Sequence, residues 1–177
     1  LAFEGWDAAG KGGAIKRIAY LSVLVAIEIV LSRFLSISAW NIKIGFTFLP
    51  TVLAAVLFGP VDAAVVAALS DFIGAILFPT GAYFPGFTVT AFLSGLFFGL
   101  CLYKNQGILR IIIAVLLNEI LSLFLNTLWI SVLYGSPYIL TMIARLTQVA
   151  VTAPVQFLFT LLIVKLIPRL KKGIGLD

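Results

Sequence analysis

The chain has 177 residues, 62% of them hydrophobic and 11% charged, with a net charge of +5 and a mean hydropathy of +1.19. That apolar fraction excludes a soluble domain and describes one polytopic helical membrane domain. There is no histidine, which excludes His-based catalysis and His metal sites. The single cysteine, Cys101, excludes an intrachain disulfide and a cysteine metal cluster.

The first residues stand apart from the rest. Gly5-Trp6-Asp7-Ala8-Ala9-Gly10-Lys11 fits G-x-x-x-x-G-K, a phosphate-cradling pattern, but Gly12 stands where a Ser/Thr would hold magnesium. The string from Phe3 to Gly13 resembles the nucleotide loop of polyphosphate kinases of the second family, and the likeness ends within those first residues. A phosphate loop works between a strand and a helix of an α/β sheet, and here an apolar span follows. Residues 1–16 are therefore expected to be a cytoplasmic leader, not necessarily native, and 17–177 the membrane domain.

A spanning helix needs about 20 apolar residues. The first span is expected from about Ile18 to Ser36. A polar, aromatic connection follows, Ile37-Ser38-Ala39-Trp40-Asn41-Ile42-Lys43. The second, short span runs from about Ile44 to Phe58, with Pro50 expected to kink it. After the Gly59-Pro60 turn, the third covers Val61 to Phe78. A loop with Pro79, Gly81, Pro85 and Gly86 punctuating Tyr83 and Phe84 precedes the fourth span, Phe87 to Tyr103. The fifth is Ile108 to Tyr134 and the sixth Tyr138 to Ile167, followed by the basic tail from Pro168 to Lys172. Six spans put both termini on one side. Lys11, Lys16, Arg17, Lys104, Arg110, Lys165, Arg169, Lys171 and Lys172 fall on that side, which the positive-inside rule makes cytoplasmic.

The remaining cations, Arg33, Lys43 and Arg145, fall on the other side or in the outer parts of spans. A cation in hydrocarbon costs roughly 2.5 kcal/mol or more at a helix centre and is usually paired or functional. Together they suggest an anion pocket opening away from the cytoplasm, although Lys43 has snorkelling to headgroups as an equal reading. Arg145 shares a polar stripe with Thr141, Thr147, Gln148 and Thr152, so it faces a cavity or a helix and not lipid. Asp71 lies at the depth of Arg33, Asn126 and Arg145 and is expected to meet a ligand. A carboxylate that accepts two parallel N–H bonds suits a guanidine-like heterocycle edge. Glu28 and Glu119 are expected in structural ion pairs. Trp40, Tyr83, Phe84, Trp129, Tyr134 and Tyr138 read first as an interfacial belt. Tyr83 and Phe84, between prolines, have a second reading as a lid that stacks on a flat ligand. Ser22 and Ala26 form a small-x-x-x-small pair on the first span. Ala63, Ala64, Ala67, Ala68, Gly74 and Ala75 smooth the third, for internal packing or for a partner protein.

The string Leu69-Ser70-Asp71-Phe72-Ile73-Gly74-Ala75-Ile76-Leu77-Phe78-Pro79-Thr80-Gly81-Ala82-Tyr83-Phe84-Pro85-Gly86-Phe87 closely resembles the folate-specific S component of energy-coupling factor vitamin transporters. So do Arg33-Phe34-Leu35-Ser36-Ile37 and Trp40-Asn41-Ile42-Lys43-Ile44-Gly45-Phe46, and the likeness runs from Ile18 onward. The resemblance implies an all-α fold, a six-helix S-component bundle in a bacterial plasma membrane, with no catalysis, no cofactor and no metal. It implies folate as ligand, and as partners a transmembrane coupling protein and two cytoplasmic ATPase subunits, with lipid around it and no nucleic acid. Ser22 and Ala26 resemble the family's docking motif, usually Ala-x-x-x-Ala, from which Ser22 departs. For such a ligand Asp71, Tyr83, Phe84 and Trp129 would take the flat heterocycle, and Arg33, Lys43 and Arg145 the dicarboxylate tail. Trp40, Asn126 and Gln148 complete the candidate site. An S component for another vitamin, a self-sufficient secondary transporter and a membrane enzyme remain as alternatives, and for the last no catalytic dyad is found.

Overall fold

The computed structural model describes residues 11–35, 37–39, 42–79 and 81–174. Six helices in chain order make the bundle: α1 (Lys11–Phe34), α2 (Phe48–Leu57), α3 (Pro60–Leu77), α4 (Pro85–Leu102), α5 (Ile108–Tyr134) and α6 (Tyr138–Ile174). Strands β1 (Ile37–Ala39) and β2 (Ile42–Ile44) form an antiparallel ladder between α1 and α2, pairing Ile37 with Ile44 and Ser38 with Lys43. The polar, aromatic connection between the first two spans thus carries a small antiparallel ladder. Among the described residues α3, α4, α5 and α6 are long and apolar enough to cross a membrane. α2 has 10 residues, about 15 Å at the helical rise, and cannot span alone.

Local chemistry sets the ends of the helices. Gly59 has φ 105°, a conformation that L side chains rarely adopt, and Pro60 opens α3 at a position that needs no N–H donor. Pro85 opens α4 in the same way. Gly135, at φ 64°, closes α5. Pro50 falls in the first turn of α2, not in its interior. The N–H it lacks is one that a first turn leaves unbonded, so it starts a helix and does not kink one. At the other extreme, α6 runs through Pro168 to Ile174, beyond the end expected at Ile167. A proline removes one ladder bond, and the flanking turns carry the helix past it.

The smooth side of α3 has a partner. A β-carbon on Gly95 would lie 2.4 Å from the Ala63 carbonyl oxygen, and one on Gly99 would lie 2.1 Å from Pro60 Cα. Gly95-x-x-x-Gly99 therefore lets α4 touch the α3 backbone, and Ala63, Ala64 and Ala67 are buried there. The partner-protein reading of that α3 face gives way to internal packing.

Packing divides the bundle along its length. Val52, Ala55, Val56, Ala63, Val66, Phe98, Leu102, Ile111, Val115 and Ile167 form a close apolar core in the half away from the β-hairpin. At that basic end, Arg17 Nε donates to Asp62 Oδ2 at 2.7 Å and Arg17 Nη2 reaches the Phe58 carbonyl at 3.4 Å, stapling α1 to the α2–α3 turn. The half toward the hairpin is not filled.

Candidate functional site

A polar cavity occupies that unfilled half, in two adjoining lobes of about 300 Å³ and 370 Å³. Glu28, Gly45, Thr47, Ala67, Asp71, Ala91, Ser122, Asn126 and Gln148 line both. Volumes of this order suit a small-molecule ligand. The larger lobe, nearer the hairpin end, adds Ser32, Arg33, Ser70 and Arg145. The other reaches deeper and adds Thr51, Thr90, Ser94, Asn118, Glu119, Thr152 and Gln156.

Each wall is built from helical periodicity. On α6, Gln148, Thr152 and Gln156 recur every four residues; on α5, Asn118, Ser122 and Asn126 do the same. Within α5, Ser122–Asn126 is π-helical, which locally resets the register of the helix. Asn126 Nδ2 donates to Ser122 Oγ at 3.0 Å inside that segment. The floor is a chain across α4, α5 and α6: Ser94 Oγ donates to Asn118 Oδ1, and Asn118 Nδ2 donates to Gln156 Oε1 at 3.2 Å. Below it lies buried Phe98, one turn from Ser94.

The cavity carries charges of both signs: Glu28 and Asp71 line both lobes, and Arg33 and Arg145 line the one nearer the hairpin. Arg33 enters that lobe from α1 and Arg145 from α6. Arg145 Nε is buried with no hydrogen-bond partner among the described residues. Glu28 and Glu119, expected as ion-pair partners, stand on the cavity wall, where each accepts a threonine hydroxyl. Thr51 Oγ1 donates to Glu28 Oε2 at 2.8 Å, and Thr152 Oγ1 donates to Glu119 Oε2 at 3.1 Å. Asp71 faces both lobes. Thr88 Oγ1 donates to its Oδ2 at 2.7 Å and lies 3.2 Å from Tyr83 Oη. The one proton of Thr88 is committed to Asp71, so Tyr83 is the donor in the second contact.

The bundle thus brings Arg33, Asp71, Asn126, Arg145 and Gln148 onto one cavity. Tyr83 reaches it through Thr88 and packs edge-on against Phe72 at 5.9 Å. Phe84 and Trp129 pack on each other at 5.5 Å beside it. Trp129 Nε1 donates to Thr90 Oγ1 at 2.9 Å, so the indole is held by a residue that does line the cavity. Gly86 makes room for the indole, since a β-carbon there would fall 2.4 Å from Trp129 Cδ2. Lys43 lies on β2 with its side chain outside the described residues, and Trp40 is outside them too, as are Gly5 to Gly10 of the phosphate-loop string. Ser22 and Ala26 are exposed on α1 and are not among the lining residues, although Ala26 is two residues from Glu28, which lines both lobes. The sequence reading missed Thr51, Thr88, Thr90, Ser94, Asn118 and Gln156 as site residues. For Asn118 and Gln156, the four-residue polar spacing was the available signal.

The profile of the family described as ECF transporter, substrate-specific component, matches residues 16–164. The folate transporter FolT of Clostridium novyi (strain NT) is 36% identical over 154 residues, 86% of this chain and 90% of that protein. The folate transporter FolT of Leuconostoc mesenteroides is 32% identical over 126 residues, 70% of this chain and 68% of that protein. Among solved structures, a crystal structure of FolT bound with folic acid superposes with a TM-score of 0.76 at 38% identity, over 82% of this chain and 90% of that one. The S component for biotin from an ECF-type ABC transporter superposes with a TM-score of 0.70 at 20% identity, over 93% of this chain and 95% of that one, a likeness of fold alone. A bundle packed solid at one end and hollowed into a polar cavity at the other accords with these matches, and the chain belongs to the substrate-specific components of ECF transporters, multi-pass proteins of the cell membrane that are not enzymes.

Proposed function

We infer that this chain is the folate-binding subunit of an ATP-driven ECF importer. The observation that carries the reading is Arg145 Nε, buried in the cavity wall without a partner among the described residues. A buried, unsatisfied guanidinium donor is costly, and an anionic ligand would satisfy it. Folate offers carboxylates at one end and a donor-rich pterin at the other. Arg33 and Arg145 line the hairpin-end lobe, Glu119, Asn118 and Gln156 the deeper one, and Glu28 and Asp71 face both, which supports one orientation: the glutamate tail toward the arginines and the pterin deeper. The names of the two curated relatives and of the folic-acid-bound structure support the same ligand.

The hairpin end then faces outside and both termini face the cytoplasm, a reading supported by exposed Lys16, Lys104, Arg110 and Lys165 at the opposite end. Residues 17–177 are the substrate-binding domain and 1–16 a leader, a division supported by the family match starting at residue 16. Energy would come from a coupling protein and two cytoplasmic ATPases that dock at the exposed α1 face carrying Ser22 and Ala26.

Equilibrium titration with folic acid tests the reading. Arg145→Ala should lose the roughly 1.5–3 kcal/mol of a charge-assisted hydrogen bond, about tenfold to a hundredfold in Kd. Lys104→Ala, on the exposed α4–α5 turn, should leave Kd unchanged. Equal affinities in the two variants would mean that Arg145 does not meet the ligand.

A further inference from the structure

The floor of the deeper lobe has a direction. Ser94 Oγ on α4 donates to Asn118 Oδ1 on α5, and Asn118 Nδ2 donates to Gln156 Oε1 on α6 at 3.2 Å. A side-chain amide can turn over and exchange its oxygen for its nitrogen, so its neighbours decide which of the two it presents. Because Asn118 holds the oxygen of Gln156, the Nε2 amino group stands at the open end of the chain. That amino group has no acceptor among the described residues. Gln156 is 7% exposed and lines the deeper lobe, so the lobe is where its two N–H groups can still be answered.

The hydroxyls around it have spent their protons inside the protein. Thr51 gives its proton to Glu28, Thr152 to Glu119 and Thr90 to the Gly86 carbonyl. The Ser94 proton goes into the floor itself. Asp71, on the wall of the same lobe, brings a carboxylate, which only accepts. The Gln156 amino group is a donor pair that none of these contacts uses. A buried donor left unmade is costly, so a ligand that accepts from it gains more than an exposed contact would give.

We propose that Gln156 is a specificity-determining residue for the ring end of the ligand: its amino group, aimed by the Ser94–Asn118 chain, meets a ring carbonyl, and the lobe thereby selects a 2-amino-4-oxo pterin over its 4-amino counterpart. The proposal rests on the folate reading above and deepens it. In the 4-oxo ring, the 2-amino group and the neighbouring ring N–H form a parallel donor pair, which suits a carboxylate. The carbonyl beside that pair calls for an N–H. In the 4-amino ring the same place carries an amino group, so two donors confront each other and one is left unsatisfied. A pocket built around a hydrogen bond rejects such an analogue more strongly than one that reads shape alone. Asn118 is the positioning residue, since it holds Gln156 with its nitrogen turned to the ligand.

The test is a pair of equilibrium titrations, folic acid against aminopterin, which differs from it by a 4-amino group in place of the 4-oxo group. The parent chain should bind aminopterin at least about tenfold more weakly, the value of roughly one hydrogen bond to a buried group. Gln156→Met keeps the length and removes both polar atoms. It should weaken folic acid by about fivefold to tenfold and leave aminopterin unchanged or tighter, so that the ratio of the two affinities approaches one. Asn118→Leu releases the Gln156 amide to turn over, so both ligands should bind with little preference between them. Equal affinity of the parent for the two ligands would overturn the proposal, and that titration needs no variant. So would equal weakening of both ligands in Gln156→Met, the mark of a purely structural floor, or a preference that persists undiminished in that variant. An undiminished preference in Asn118→Leu would remove the positioning role. Failure of the parent to bind folic acid at all would overturn the functional reading instead.

Discussion

Asp71 shows how one side chain acquires a defined role. Thr88 holds one of its oxygens at 2.7 Å, and Tyr83 lies 3.2 Å from Thr88. The hydrogen bond fixes the carboxylate plane, and that plane decides whether two parallel N–H donors of a heterocycle edge can be met. Thr88→Val removes the proton and keeps the shape. It should weaken folic acid binding by roughly fivefold to tenfold, the value of about one hydrogen bond, while Thr88→Ser keeps it. Titration of the two variants decides, and equal loss in both would mean that the methyl group of Thr88, not its hydroxyl, matters. Charged site residues such as Arg33, Asp71 and Arg145 were legible in the sequence because a charge in an apolar span is expensive and stands out. Thr51, Thr88 and Thr90 were not. A helical threonine can satisfy itself on a carbonyl one turn back, as Thr90 does on Gly86 at 3.1 Å, so nothing in its spacing announces a second partner.

At the scale of elements, hydropathy marked all six helices, because apolar length is what a bilayer demands, but α1 starts at Lys11, before the expected Ile18, and α6 ends at Ile174, beyond the expected Ile167. It missed the β1–β2 hairpin, whose three-residue strands are too short to carry a period. The π-helical Ser122–Asn126 segment was also invisible, since no residue type encodes it. Glycine spacing on α4 and alanine content on α3 were visible, and only the structure pairs them. The opposite holds for α1. Ser22 and Ala26 stay exposed beside Val23, Ile27 and Val30, and the Ser22 hydroxyl is satisfied within its own helix by Ile18 O at 2.9 Å. If that face meets the coupling protein, Ala26→Trp should hold the helices apart and abolish ATP-driven folate uptake in the assembled transporter. Folic acid binding to the isolated subunit should be unchanged, because Ala26 is exposed on the side of α1 turned away from Glu28, which lines the cavity. Loss of binding would place Ala26 in the internal architecture, and uptake at full rate would move the docking face elsewhere.

The molecule as a whole is polarised. Apolar packing and an Arg17–Asp62 staple consolidate the basic end, and polar residues from all six helices open the hairpin end. Charge bias along the sequence set the two ends apart, whereas the meeting of Glu28 with both arginines in one lobe emerged only once the helices were in register. Folate as the occupant is the central claim, and a panel titration tests it most directly. The purified, ligand-free chain in detergent or nanodiscs is titrated with folic acid, riboflavin, thiamine and biotin. The account expects saturable binding of folic acid at one site per chain and none of the other three. Binding of one of the others in place of folic acid would contradict it.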